Sequence, residues 1–201
     1  MRAMAPEMDV VVPASTKFPI ELELPPGFVV DDPGTWPRLD GRLEYVSGRL
    51  LWMPPCGALQ QRVSLSVAGV LWEWLRTHPD FVGGSNEAGM LLDGDVRGAE
   101  GAVWRRADLP APTERYVAVA PILAAEVAGR EEREPQLRDK ARWYMARGVI
   151  VVWIVLPRER EVVVLERDGS DSRHRPGEHL PPRAELPDLA PAVADFFAQL
   201  D

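Results

Sequence analysis

Glu126, Lys140 and Asp108 are the residues whose types and spacing can do chemistry. Glu126 closes the apolar run PILAAEVAG, Lys140 follows in a charged stretch, and Asp108 lies upstream in WRRADLP. Two carboxylates on successive strands can hold Mg²⁺ or Mn²⁺, a hard cation that takes oxygen ligands and keeps several waters. The carbonyl of Val127 is a natural further ligand. Such an ion polarises a phosphodiester oxygen and lowers the pKa of an attacking water. A lysine beside it orients that water or stabilises the pentacovalent charge. Acids at strand ends and a lysine on a charged helix also occur as plain solvated groups, so these residues alone leave both readings open.

The elements that must position them are a strand, a helix and a strand. PILAAEVAG reads as a strand ending at Glu126. Residues 131–147 read as a helix, with Leu137, Ala141, Tyr144 and Met145 as its apolar stripe and Gly148 as its C-terminal cap. Val149–Leu156 is uniformly apolar, as a buried central strand should be. Upstream, RLEYV and RLLWM flank Ser47-Gly48, a hairpin signal that places Glu44 in the first strand. Residues 57–77 read as a helix whose buried stripe is Leu59, Val63, Val67, Val70, Leu71 and Trp74, with Trp72 off the stripe and packed elsewhere.

Gly83 to Asn86 reads as a turn, Ala88–Leu92 as a short strand, and Asp93 onward as a polar loop before the strand GAVWRRADLP. EVVVLERDG is a neighbouring strand, SDSRHRPGEHLPPRAE is loop, and Pro187–Leu200 holds a last short helix. Residues 1–35 form a proline-broken, extended arm with a short strand near Ile20–Leu24. The order predicts one α/β (α+β) domain over 36–201, a mixed sheet with helices on both faces.

Composition bounds the function. Lys and Arg number 23 against 31 Asp and Glu, a net charge of −8, which disfavours non-specific nucleic-acid binding but not a local basic groove or a metal. The single cysteine, Cys56, precludes an internal disulfide and fits a cytoplasmic location. No apolar stretch is long enough to span a bilayer, so no membrane association is expected. A nucleophilic Cys56 would need a histidine base, and His78, His174 and His179 all sit in loop-like sequence. Arg105 and Arg106 could meet phosphate or simply pair with acids. No glycine-rich phosphate loop is present.

From about residue 36 to 199 the chain resembles the restriction-endonuclease-like proteins of the PD-(D/E)XK nuclease superfamily. RLEYVSGRLLWMPP matches the family's acidic hairpin, QQRVSLSVAGVLWEWL its first helix, RRADL its P-D element and AAEVAG its E-V element. DKARWYMARGVIVVWIVLPRER matches the final block, with Lys140, Tyr144, Gly148, Val149 and Trp153 in register. The resemblance implies a central mixed sheet flanked by helices, often in a homodimer. It implies Asp108 and Glu126 as ligands of Mg²⁺ (or Mn²⁺), Lys140 as a catalytic lysine moved to the following helix, Glu44 as an acid lining the site, and DNA as substrate. The chain departs from the pattern at Ala107, Gln60, Ala128 to Arg130 and Gln136. A catalytically silent protein that keeps the fold as a protein or nucleic-acid interaction module is therefore the alternative.

Overall fold

The computed structural model describes residues 16–130 and 132–200. The first fifteen residues of the expected arm, and Glu131 at the expected helix start, lie outside the described residues. Ile20–Leu22 (β1) joins the sheet by pairing with Arg49–Met53 (β3), the second strand of the hairpin begun by Arg42–Val46 (β2). Ser47 and Gly48 turn that hairpin with φ of 51° and 81°, the left-handed pair that matches the twist of the strands it joins.

Ala58–Leu75 (α1) buries Gln60, Val63, Val67, Leu71 and Trp74. The stripe therefore begins at Gln60 and not at Leu59, which is 41% exposed, and Trp72 points outward at 63% exposed instead of packing elsewhere. The expected turn at Gly83 to Asn86 is instead the interior of a long strand, Phe81–Leu92 (β4). Its glycines serve packing, not turning: a Cβ on Gly83 would lie 2.4 Å from Leu75 Cδ1 of α1. The real turn is Asp93-Gly94, and Asp95–Arg105 (β5) starts at once. That strand is longer than GAVWRR suggested, because it pairs with β4 along nearly its whole length.

Leu123–Val127 (β6), Glu134–Ala146 (α2) and Val151–Leu156 (β7) form the expected strand–helix–strand unit. Pro135 sits in the first turn of α2, where its missing N–H costs nothing. Glu161–Glu166 (β8) follows, then Asp171–His174 (β9), a short polar edge strand that the sequence does not announce by any apolar alternation. The final segment is a 3-10 run, Val193–Leu200, not an α-helix.

The nine strands form one sheet in the order β1-β3-β2-β5-β6-β7-β8-β9, with β4 also paired to β5. Among these strand pairs only β6 and β7 run parallel, joined by α2 as the crossover. The expected mixed sheet is present and mostly antiparallel. Side chains alternate along β6. Ala125 and Val127 pack towards α1 with Val67, Trp153 and Phe196. Ala124, and with it the level of Glu126, faces α2 with Leu137, Ala141 and Ile154. A carboxylate is thus carried into a layer otherwise filled by hydrocarbon.

Candidate active site

Glu126 is 1% exposed and Lys140, on α2, is 6% exposed. The Lys140 ammonium donates to Glu126 Oε2 at 3.0 Å and to the Gly98 carbonyl at 2.9 Å, and lies 3.0 Å from Glu126 Oε1. One turn further along α2, the Tyr144 hydroxyl lies 2.7 Å from Glu126 Oε1 and 3.1 Å from the same Gly98 carbonyl. It has one proton to give, and the charged, closer acceptor takes it. Spacing of four residues puts both donors on one helical face.

Glu44 comes from β2 on the other side of the ammonium, with Oε1 2.9 Å from Lys140 Nζ. Arg42 and Arg97 approach the same carboxylate at 3.9 and 3.8 Å. Burial alone would push the Lys140 ammonium down, but Glu126 and Glu44 beside it hold it above the ordinary lysine range. For Glu126 burial wins over the pull of Lys140, Arg42 and Tyr144, and its carboxyl is raised. For Glu44 burial is outweighed by Lys140, Arg42 and Arg97, and its carboxyl is lowered. Three buried atoms of this wall, Arg42 Nε, Arg97 Nε and Glu44 Oε1, make no aligned hydrogen bond within the chain.

A β-bulge carries a further acid to the same place. The register of β4 on β5 shifts between Ser85 and Ala88, and Asn86 and Glu87 both take positive φ, 54° and 61°. Such a kink re-aims a side chain. Here it sends the half-buried Glu87 carboxylate towards Arg42, 3.6 Å away. Burial, against the attraction of Arg42, pushes the Glu87 carboxyl up to about 7.

The carboxylate that shares Lys140 with Glu126 is Glu44, and Glu100 is tied to Val127, the next residue of β6, through the Gln60 amide. Gly101 pairs with Ala125 and Val103 with Leu123, and Glu100 lies one residue beyond that end of the ladder. Progress along β5 towards Asp108 leads away from Glu126: strand alone spans about 17 Å between Glu100 and Arg105 at ~3.4 Å per residue. Asp108 ends an exposed 3-10 turn, Arg106–Asp108, beyond that strand. The structure brings Glu44, Glu126 and Lys140 together and leaves Asp108 outside. Arg106 spends its guanidinium on the carbonyls of Pro79 and Phe81.

Glu100 carried a signal, an acid buried in the small-residue run GAEGAVW. Gln60 carried one too, since it keeps phase with Val63, Val67 and Leu71 on the buried stripe of α1. Its Nε2 donates to Glu100 Oε1 at 2.9 Å and to the Val127 carbonyl at 3.1 Å.

Several of these groups line a cleft of about 1000 Å³ whose walls include Arg42, Glu44, Gln60, Glu87, Arg97 and Lys140. Among the described residues no three His, Cys, Asp or Glu side chains cluster as a ready metal cage. A cation here would rest on two carboxylates, Glu100 and Glu126, with the Val127 carbonyl and water, a set of oxygen donors suited to Mg²⁺ or Mn²⁺. Glu100 Oε1 and the Val127 carbonyl both accept from the Gln60 amide, so oxygen donors of the kind such an ion takes are gathered there. His174 pairs with Ser172 on β9, and Cys56 is an exposed free thiol.

The fold is nuclease-like. Over residues 32–196 the chain matches the model of the Uma2 family, described as "Putative restriction endonuclease", and it belongs to that family. Among solved structures it is similar to a putative nuclease belonging to DUF820 from Anabaena variabilis, with a TM-score of 0.74 and 14% identity. The alignment covers 87% of this chain and 99% of that one. A search of curated proteins finds no match.

Proposed function

We propose that this chain is a metal-dependent endonuclease that hydrolyses phosphodiester bonds of DNA. The observation that carries the reading is the convergence of Glu44, Glu126 and Lys140 on one buried point, beside a cleft lined by Glu44 and Lys140, in a member of a family described as "Putative restriction endonuclease". Glu126, Glu100 and the Val127 carbonyl would hold Mg²⁺ or Mn²⁺. When bound, such an ion polarises a phosphate oxygen and eases deprotonation of water.

The protein's own groups do the rest. Lys140 keeps its proton between Glu44 and Glu126, so it acts as a fixed positive charge for the transition state and not as a base. Tyr144 and Gly98 fix that ammonium and the Glu126 carboxylate in one orientation. Arg42 and Arg97 line the cleft, where Arg42 pairs with Glu44, Glu87 and Glu132 and Arg97 with Glu44.

The test is cleavage of supercoiled plasmid with Mg²⁺ or Mn²⁺ by the wild type, Glu126→Gln and Lys140→Ala. Activity confined to the wild type supports the assignment. Equal cleavage by all three rejects it.

One observation favours the alternative of a silent, interaction-only protein: both Glu126 oxygens are already engaged by Lys140 and Tyr144. Retained DNA binding without cleavage in either metal would select that alternative.

A further inference from the structure

Gln60 is the one polar residue on the buried face of α1. Its neighbours raise the question of why an amide is there. The Nε2 end meets two acceptors, Glu100 Oε1 at 2.9 Å and the Val127 carbonyl at 3.1 Å. The Oε1 end lies over Gly129, where an added Cβ would stand 2.8 Å from it and 3.0 Å from Glu132 Oε2. One end of the amide therefore faces oxygen acceptors with a donor. The other end presents an acceptor on the side where a carboxylate oxygen also lies.

The two distances have a second meaning. In octahedral coordination with bonds of about 2.1 Å, adjoining ligand oxygens stand roughly 3.0 Å apart. The Gln60 head is at that spacing from both Glu100 Oε1 and the Val127 carbonyl. It sits where a ligand atom would sit, not where the ion would. A side-chain amide has nearly the same shape with its oxygen and nitrogen exchanged, and offers an acceptor at one end and two donors at the other. Turned over, Gln60 would place an oxygen beside Glu100 and Val127, and would turn its N–H groups towards Glu132 over Gly129.

We infer that Gln60 is a reversible ligand of the cation: without the ion its NH₂ group bridges Glu100 and the Val127 carbonyl, and with the ion bound the amide turns over and contributes its oxygen. This rests on the metal-dependent reading of the site. It explains a buried amide on an apolar stripe, and it gives Gly129 a purpose, since any side chain there would collide with the amide in either orientation.

The experiment is titration of the full chain with Mn²⁺ by calorimetry, comparing wild type, Gln60→Leu and Glu126→Ala, each checked for folding by circular dichroism. The expected result is saturable binding by wild type, its loss in Glu126→Ala, and affinity about 10-fold weaker in Gln60→Leu. Wild-type affinity in Gln60→Leu, with binding lost in Glu126→Ala, overturns the inference while the metal site stands. Absence of binding by wild type overturns both. The Gln60 side-chain amide resonances of the ¹⁵N-labelled wild type give a reading that needs no substitution. Addition of Mg²⁺ is expected to shift them, and resonances that stay put while the ion binds overturn the inference.

Discussion

Lys140 and Tyr144, one turn apart on α2, address the same two groups, the Glu126 carboxylate and the Gly98 carbonyl. α2 spans the crossover between β6 and β7, so its inward face necessarily looks down on the end of β6 where Glu126 stands. A helix that elsewhere buries Leu137 and Ala141 thus supplies two polar tips at one level. Burial makes each of them matter, because a charge or hydroxyl taken out of water must find its partner inside.

Tyr144→Phe removes the hydroxyl and leaves Glu126 Oε1 with the ammonium alone. The expected loss of stability is about 1–3 kcal/mol, the cost of leaving a buried acceptor short of a donor. Urea denaturation at neutral pH measures it. An unchanged midpoint would mean that the hydroxyl contributes nothing to holding the carboxylate.

Lys140→Met is expected to cost more, about 3–5 kcal/mol, because Glu44 and Glu126 would share a buried site without their common cation. Adding Glu126→Gln to Lys140→Met should recover part of that loss. Additive losses in the double mutant, read from the same denaturation curves, would contradict the coupling.

Away from the site, the edge strand β9 is held by ion pairs. Arg173 meets Glu134 of α2 at 2.8 Å and also pairs with Glu161 of β8. For Glu134 burial is outweighed by hydrogen bonds from Arg173 and Arg138, and for Glu161 the hydrogen bond from Arg173 leads, so both carboxyls are lowered from 4.5. A lowered folded pKa contributes stability that is fully present above the unfolded value and lost as pH falls through the folded one. Wild type should therefore lose stability below about pH 4.5 more steeply than Arg173→Ala, and the gap between the two should close as pH falls further. Each exposed pair contributes below about 1 kcal/mol, so the gap at pH 7 should be modest. Parallel pH profiles in thermal melts would dismiss the network.

Much of this arrangement could be read from residue pattern alone. Local signals mark the hairpin through Ser47-Gly48, α1 through its stripe, and the β6–α2–β7 unit through an apolar strand, a charged helix and a second apolar strand. Glu44, Glu126 and Lys140 follow from those elements, since each projects from a well-marked strand or helix. Glu100 does not, because its place is set by register. Which β5 residue comes to that end of β6 depends on pairing between strands that are distant in sequence, and a slip of one residue changes the face. Asp108 sits in a motif-like RADL but belongs to the turn past the end of β5. Glu87 was hidden for another reason: glycines that read as a turn lie within a strand, and the bulge that aims the acid inward is a product of β4 pairing with β5.

The proposed centre at Glu100 and Glu126, and not at Asp108, is tested by one direct measurement. Plasmid cleavage in Mn²⁺ is compared for wild type, Glu100→Ala and Asp108→Ala, at matched concentration and with folding verified. The arrangement predicts a loss of about 100-fold or more in Glu100→Ala and near-wild-type cleavage in Asp108→Ala. Cleavage retained in Glu100→Ala and lost in Asp108→Ala would contradict it.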